Sequence, residues 1–371
     1  LDPTTNPPPL NFLDFKNSSF STALQTFDYL MSSLSGGLSD KQAGLTPYLL
    51  RLILKIENPT LLTLKEIVDE RVKQVQQSAF YPYIQQLAPA DQSFFTNQFY
   101  TNRMNDTKDA MGWKIAAASA QDTFREMFSS PVNSFEPDRY MNEGKVVLVK
   151  GARNAIGDGG MQIFLQFIVG QMYTAALRRD GMAPEKRKLC VLVVDEAEHV
   201  FNSQTARILT ECRKYGLGSV WATQVIDQIP DEVKAAMYGA TAIKVAGSVQ
   251  YNDAATLARE MYCDTDFIRS CRSRPGVSAD WAIYVKGMPG LDRAIKLNIP
   301  YGILEKEPTY ASTHEDPKLT EASRGSGLAP ARADVPQVSH KEVKPQPRQS
   351  PPSPPASPPP QSGDIELDKN H

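Results

Sequence analysis

Two adjacent carboxylates follow a short apolar run in the middle of the chain. Residues 190–194 read Cys-Val-Leu-Val-Val, and Asp195 and Glu196 come directly after them. A carboxylate at the carboxyl end of a buried strand can hold Mg²⁺ through its water ligands, and a second carboxylate beside it can polarise an attacking water. The run therefore predicts a Walker B strand, with Asp195 at the metal and Glu196 activating water. The alternative is a surface acidic pair that closes a core strand.

Two polar residues on the following elements complete this candidate site. The next predicted strand is followed by Gln224, whose amide is expected at the same sheet edge, where it can sense a γ-phosphate or orient water. Arg213 ends the helix between the two strands, so it can act as an arginine finger on the nucleotide of a neighbouring subunit. The alternatives are a hydrogen-bonding group at a helix N-terminus for Gln224 and an interaction with the helix C-terminus for Arg213.

A nucleotide site also needs a glycine-rich loop with Lys and Ser/Thr, and no G-x-x-x-x-G-K-[ST] occurs in this sequence. Residues 151–160 are glycine-rich but lack the Lys-Ser/Thr pair, so we interpret them as a β-to-α loop that faces the nucleotide or a neighbouring protomer through Arg153. His199 is expected to be structural. Because the chain begins at Leu1, we interpret it as an N-terminally truncated ATPase that is inactive alone.

The composition is that of an ordinary soluble protein, with 41% hydrophobic and 22% charged residues and a formal net charge of −2. Any DNA contact must therefore come from a few locally placed cations. The basic residues at 178–179 and 186–188 are expected to carry solvated surface charge, with a DNA-binding track as the alternative. The four cysteines lack C-x-x-C spacing and are expected to be reduced thiols. No signal peptide or membrane helix is visible. We expect a cytoplasmic protein, or one held at the inner membrane by an upstream region.

The distribution of apolar residues divides the chain into four parts. Residues 1–15 are expected to be an extended connector, and 16–142 an all-α domain, because their apolar positions follow helical spacing. Residues 143–305 alternate strands with helices, which predicts a parallel sheet covered on both faces, with ligands beyond the strand carboxyl ends. Residues 306–371 are rich in Ser, Pro and charge and are expected to be disordered, as a solvated spacer or a polyproline docking segment.

The expected elements follow from the same periodicity. Strands are predicted at 145–150, 189–194, 219–223, 241–245 and 281–285, with an edge strand at 295–299. Helices are predicted at 20–34, 47–56, 63–77, 90–100, 106–128, 160–178, 203–215, 231–238 and 253–262.

The order of these motifs resembles a known family. Residues 190–199, 211–224 and 281–302 resemble the HerA/FtsK superfamily of P-loop ATPases, and most closely the conjugative coupling proteins and related DNA-binding ATPases of type IV secretion systems. The resemblance implies an α/β fold with a RecA-like P-loop NTPase parallel sheet, of which this chain holds the C-terminal part. It also implies that the mostly α-helical residues 16–142 are an inserted domain. The disordered Pro-rich tail, expected from composition, follows the ATPase core.

The resemblance further implies an ATP-driven DNA translocase that uses ATP and Mg²⁺, assembles as a homo-oligomer, usually a hexamer, and moves DNA through its pore. By position, Asp195 and Glu196 match the Walker B pair, Gln224 the sensor and Arg213 the trans-acting finger. Secretion or relaxase proteins are the expected partners of the helical domain, and the partner of the tail is not specified. Two alternatives stay open: a secretion ATPase that moves protein, and a non-hydrolysing interaction module of the same fold.

Overall fold

Helices dominate the first half of the chain. The computed structural model describes residues 1–15, 18–34, 37–202, 205–290 and 292–302, all within a unit that spans Leu1–Glu307. The expected disordered tail at 306–371 lies outside the described residues. The α-helices are α1 (Phe20–Ser33), α2 (Asp40–Ile53), α3 (Leu61–Asp69), α4 (Tyr81–Ile84), α5 (Pro89–Phe94), α6 (Asn102–Ala118), α7 (Asp122–Phe128), α8 (Pro137–Glu143), α9 (Arg153–Arg178), α10 (Thr205–Glu211), α11 (Asp231–Ala240), α12 (Tyr251–Glu260) and α13 (Thr265–Arg269).

Side-chain caps and turn chemistry set several boundaries that periodicity misplaced. The helix predicted to begin at residue 47 begins at Asp40, because Ser39 and Gln42 form a capping box. Pro47 lies inside α2 and has no N–H for the carbonyl of Ala43, but the Thr46 hydroxyl donates to that carbonyl at 2.8 Å.

Three predicted helices are interrupted or shorter in the structure. The helix predicted over 106–128 is divided into α6 and α7, and that over 90–100 continues from α5 as a π-helical turn, Phe95–Phe99. The helix predicted over 63–77 ends at Asp69 as α3, and a separate 3₁₀ turn follows at Val75–Gln77.

The central helix α9 organises the larger core. It is buried on nearly all sides, and α1, α7 and α8 pack against it. It begins at Arg153 rather than at the predicted residue 160, through a turn that is kinked at Gly157. The segment 1–15 is extended, yet Leu10, Phe12, Leu13 and Phe15 are buried in this core, with the Phe12 ring 5.5 Å from that of Phe167. Residues 1–15 therefore contribute to packing.

A parallel pair of strands follows α9. Strand β1 (Cys190–Val194) pairs with β2 (Leu217–Trp221) in register from Cys190 opposite Leu217 to Val194 opposite Trp221. The strand predicted at 145–150 is wrong: the segment forms no strand in the described structure, and Val146 and Leu148 are 89% and 80% exposed. Its backbone hydrogen bonds among the described residues include two with Leu1, which donates to Leu148 and accepts from Lys150, and one from the amide of Lys145 to the carbonyl of Tyr140. Without a longer neighbouring strand, no ladder can form.

The remaining strands form a second sheet, which is antiparallel. Strands β3 (Ile243–Ala246), β4 (Ser273–Arg274) and β6 (Ile295–Pro300) all pair with β5 (Ser278–Val285). The prediction of one parallel sheet covered on both faces is therefore wrong for this part. The connection between β5 and β6 is too short for the crossover that parallel strands need. One sheet face packs on a small core that includes Ala254 and Ile268, whereas Trp281 on the other face is exposed.

Arg179 is buried, which differs from the prediction made from the sequence. It was predicted to carry solvated charge, but it is only 3% exposed. Its guanidinium donates to the carbonyls of Lys188 and Tyr215, at 2.9 and 3.2 Å, and to the side chain of Asn142 at 3.0 Å. Because Lys188 precedes β1 and Tyr215 precedes β2, this one side chain ties together the segments that enter the parallel pair.

The cysteines are unpaired, as expected from their spacing. All four cysteines are free, and burial raises the pKa of the Cys212 thiol to about 12, which keeps it protonated. Within the described residues, no helix combines the length and the apolar character needed to cross a membrane.

Candidate functional site

The candidate site lies where the two parallel strands end. Beyond the strands the ladder continues by two hydrogen bonds: the amide of Ala222 donates to Val194 at 2.9 Å, and the amide of Ala197 donates to Ala222 at 2.8 Å. These bonds hold the segment after β1 beside the segment after β2. The structure therefore brings the predicted site residues Asp195, Glu196 and Gln224 to one edge of the sheet, and all three are exposed there.

Asp195 has the chemistry that a shared Mg²⁺ needs. Its Oδ1 accepts the amide hydrogen of Glu196 at 3.0 Å, which orients the carboxylate at the end of β1. No cluster of three or more His, Cys, Asp or Glu ligands occurs among the described residues. Mg²⁺ is commonly bound by one or two carboxylates together with water and substrate phosphates. Asp195 thus fits an ion that is shared with a phosphate ligand.

Glu196 has a strained backbone. Its φ of 50° and ψ of 48° lie in the left-handed region, which costs a residue with a Cβ about 1–2 kcal/mol. The conformation starts a 3₁₀ turn, Ala197–His199, in which Ala197 is fully buried and bonded to the segment after β2. The turn directs the chain away from the sheet immediately after the carboxylate. Strain of this kind is concentrated at functional sites in proteins.

Arg153 and His199 join this edge, which the sequence indicated only in part. The Arg153 guanidinium donates from Nη2 to Nε2 of His199 at 3.3 Å, and its Nε pairs with Asp158 at 2.6 Å. The same Nε2 lies 3.8 Å from Oε2 of Glu196. The loop 151–160 therefore does reach the acidic edge. His199, expected to be structural, contacts the predicted water-activating carboxylate, and the only signal for this in the sequence is the three-residue spacing from Glu196.

Three buried polar atoms near these strand ends have no hydrogen-bond partner within the described residues. They are Oε2 of Glu198, Nε1 of Trp221 and Oγ1 of Thr223. Glu198 belongs to the turn after β1, and Thr223 lies between β2 and Gln224. Most buried polar atoms in folded proteins are hydrogen-bonded, and an orphaned one costs about 1–3 kcal/mol. Unpaired buried polar atoms thus lie near the carboxyl ends of both β1 and β2, and a bound polar ligand would supply their missing hydrogen-bond partners.

Arg213 is not brought to this edge. It lies in a 3₁₀ turn, Cys212–Tyr215, that precedes the amino end of β2, and its side chain is exposed. Because the strands are parallel, this position is at the end of the sheet opposite Glu196. Cys212 and Tyr215 are buried and fix the turn. An action of Arg213 on a nucleotide therefore requires the nucleotide of another subunit.

The geometry defines a class of fold. Two parallel strands are joined by a helical crossover, and acidic and amide residues follow their carboxyl ends. Open α/β sheets bind their ligands at that end of the strands. The described residues thus have a mixed α/β architecture with a small parallel sheet, which confirms the predicted fold class.

Two solved structures superpose on this chain. The bacterial conjugative coupling protein TrwB superposes with a TM-score of 0.50 and 15% identity, over 81% of this chain and 72% of that chain. VirB4 of Thermoanaerobacter pseudethanolicus superposes with a TM-score of 0.46 and 15% identity, over 81% of this chain and 74% of that chain. Neither a protein-family model nor a curated protein sequence matches. The chain thus has a conjugative-coupling-protein-like fold, confirming the predicted resemblance.

Proposed function

We propose that this chain forms the C-terminal part of an ATP-driven DNA translocase of the conjugative coupling type. The observation that carries the proposal is the meeting of Asp195, Glu196 and Gln224 at the carboxyl ends of β1 and β2. An acidic pair and an amide on adjacent strand ends are the groups that nucleotide hydrolysis needs on this side of the phosphates. The coupling-protein fold supports the same assignment.

Each residue has a distinct role in this proposal. Asp195 holds the waters around Mg²⁺, and Glu196 accepts a hydrogen bond from the attacking water and so polarises it. Gln224 contacts the γ-phosphate or orients the same water. When bound, Mg²⁺ neutralises charge that develops on the phosphate oxygens. The orphaned Oγ1 of Thr223 supplies a further polar contact for ligand or water at this edge.

The proposal requires a phosphate loop, which this sequence does not contain. We propose that a longer form of this protein supplies such a loop, and ATP turnover is to be measured on that form. The proposed role of Arg213 requires assembly with other subunits, because Arg213 lies at the opposite end of the sheet from Glu196. We propose that the protein assembles as a homo-oligomeric ring, usually a hexamer, in which Arg213 acts on the nucleotide of the adjacent subunit. The ring is proposed to be cytoplasmic, either free or held at the inner membrane. Secretion or relaxase proteins are its proposed partners.

The test of the site is the substitution Glu196→Gln in the protein that carries the phosphate loop. The variant is expected to bind ATP with unchanged affinity and to lose turnover, because the amide cannot accept the proton of water. Glu185→Gln is the matched control, since Glu185 is exposed ahead of β1, away from the strand ends. Turnover that survives Glu196→Gln would show that the site is not a hydrolytic one and would favour the interaction module.

A second measurement addresses the transported substrate. DNA is expected to stimulate turnover, and the stimulation should fall steeply as salt rises, because phosphate contacts release counterions. ATP turnover that DNA does not change at any salt concentration would instead favour the ATPase that moves protein. The same assay on Arg213→Gln, mixed with wild-type subunits, tests whether the arginine acts across a subunit boundary.

A further inference from the structure

A single ring nitrogen of His199 lies between a cation and the proposed water-activating acid. Its Nε2 is 3.3 Å from Nη2 of Arg153 and 3.8 Å from Oε2 of Glu196. An arginine side chain has hydrogen-bond donors and no acceptor. The nitrogen that receives this hydrogen bond must therefore be unprotonated, which places the ring hydrogen of the neutral imidazole on Nδ1. In that form Nε2 has no hydrogen to donate to Glu196.

The other neutral form of the ring would have the opposite effect. An imidazole with its hydrogen on Nε2 can donate to a carboxylate, and hydrogen bonds to a charged acceptor are stronger than those between neutral groups. Such a bond would occupy the carboxylate oxygen that lies nearest the ring. Glu196 would then be less able to accept a hydrogen bond from water.

Arg153 is held in place independently of His199. Its Nε pairs with Asp158 of the same helix at 2.6 Å. The turn that carries both residues is shaped by two left-handed positions, Ala152 with a φ of 54° and Gly157 with a φ of 69°. The guanidinium is thus presented by its own turn and meets a histidine 46 residues away in the sequence.

We propose that Arg153 is a positioning residue for Glu196 and acts through His199. By donating to Nε2 it holds the imidazole in the form with hydrogen on Nδ1, and the carboxylate of Glu196 stays free for water. Among the described residues, the charged groups in contact with this ring include Arg153 from the start of α9 and Glu196 from the turn after β1; Asp158 pairs with Arg153, and Glu198 precedes His199 in its turn. The part of the proposal that concerns catalysis rests on the proposed role of Glu196, whereas the state of the ring does not.

The first experiment examines the ring in this chain without nucleotide. The chain has four histidines, of which His314, His340 and His371 lie beyond residue 302, so ¹⁵N-labelled histidine gives a simple NMR spectrum. The signal lost in His199→Leu identifies His199. In mildly alkaline buffer the wild-type ring is expected to show an unprotonated Nε2, and Arg153→Met is expected to shift hydrogen to Nε2. A hydrogen on Nε2 in the wild type, or an unchanged ring in Arg153→Met, would overturn the proposal.

Arg269→Met is the matched control for this measurement. Arg269 is 51% exposed and pairs with Asp266 of its own helix, while Arg153 is 54% exposed and pairs with Asp158. The control removes a similar charge and a similar ion pair from a different helix, α13. The His199 signal is expected to stay unchanged in this variant. If Arg269→Met shifts it equally, the shift reflects net charge alone and the proposed contact is not its cause.

The second experiment measures turnover in the protein that carries the phosphate loop. Arg153→Met is expected to lower kcat about tenfold, a usual loss when a supporting residue is removed, with little change in KM. The double variant Arg153→Met/His199→Leu is expected to match His199→Leu alone, because no ring remains to occupy Glu196. Additive losses, or a rise in KM with kcat unchanged, would overturn the positioning role. Failure of the proposed function is distinguishable, because Glu196→Gln would then keep its turnover while the NMR result stands.

Discussion

The ring of Tyr29 lies directly against the backbone of Gly170. A Cβ placed on Gly170 would meet two ring carbons of Tyr29 at 2.8 Å, closer than packed side chains allow. Beside this contact the hydroxyls of Thr26 and Thr174 share a hydrogen bond of 2.5 Å. Helices α1 and α9 therefore cross at a close approach that depends on the missing side chain.

Gly170→Ala is expected to destabilise the protein. The added methyl group overpacks the crossing, and overpacking of this kind usually lowers the free energy of unfolding by about 1–3 kcal/mol. Gly239→Ala is the control, since Gly239 is in helix α11 and a Cβ there meets nothing within 4 Å. The control is expected to stabilise by about 0.5–1 kcal/mol through the lower flexibility of the unfolded chain. Denaturant unfolding of both variants is the measurement, and equal midpoints would contradict the close approach.

Gly157→Ala tests the kink at the start of α9. Gly157 has a φ of 69° and a ψ of 172°, a combination that is essentially restricted to glycine. A Cβ is expected to cost about 1–3 kcal/mol in the free energy of unfolding. Gly159→Ala, two residues on, is the control, because a Cβ there meets nothing within 4 Å and its φ is not positive. If the two variants unfold at the same denaturant concentration, the helix is not kinked at Gly157.

Arg179→Met tests whether the buried guanidinium ties the entries of β1 and β2 together. The substitution leaves the carbonyls of Lys188 and Tyr215 without their donor, and a loss of about 3 kcal/mol in the free energy of unfolding is expected. Lys186→Met is the control, since Lys186 is exposed in the same segment. A guanidinium that contributed only surface charge would give both variants the same thermal stability.

Lys108 predicts a specific pH dependence of stability. It is fully buried, donates to the carbonyl of Glu70 at 2.7 Å and lies 4.2 Å from the ring centre of Phe99. Burial lowers its pKa from the ordinary 10.5 to about 8. Between these two values the unfolded chain binds more protons than the folded one, so the free energy of unfolding contributed by this group rises with pH. Below pH 8 the cost of burying the charge is fully present.

The variant Lys108→Met isolates this contribution from other groups that titrate in the same range. Any stability advantage of the variant over the wild type is expected to be largest near pH 7 and to shrink as the pH rises towards 10. Thermal unfolding of both proteins across that range is the measurement. A stability difference that stays constant with pH would mean that Lys108 titrates normally in the folded protein.

Elements with strong local signals were predicted well. The apolar run before Asp195 is a strand, and the helical spacing from Phe20 marks α1, whose N-cap Ser19 accepts from the amide of Thr22. The segment 145–150 has an equally apolar sequence but no strand, because a strand also needs a neighbour with which to pair. Likewise, alternation of strands and helices predicted parallel pairing for β3 and β5, which pair antiparallel. Strand β6, predicted only as an edge strand, pairs antiparallel with β5 through a short connection.

The candidate site was also predicted only in part from the sequence. Asp195, Glu196 and Gln224 were identified from sequence because each directly follows a strand, and parallel strands bring their carboxyl ends to one edge. The contact of Arg153 with His199 could not be derived, because it depends on how α9 is placed against the turn after β1.

The sequence by itself determined the local features of this protein: the strand with its terminal carboxylates, the helices with their caps, and the composition of the C-terminal segment. Each of these depends on residues within a few positions of one another. Only the tertiary structure decided that Arg179 is buried, that α1 crosses α9 at Gly170, and that the second sheet is antiparallel. These features depend on contacts between segments that are distant in the sequence. A local sequence pattern carries no information about the energies of such contacts.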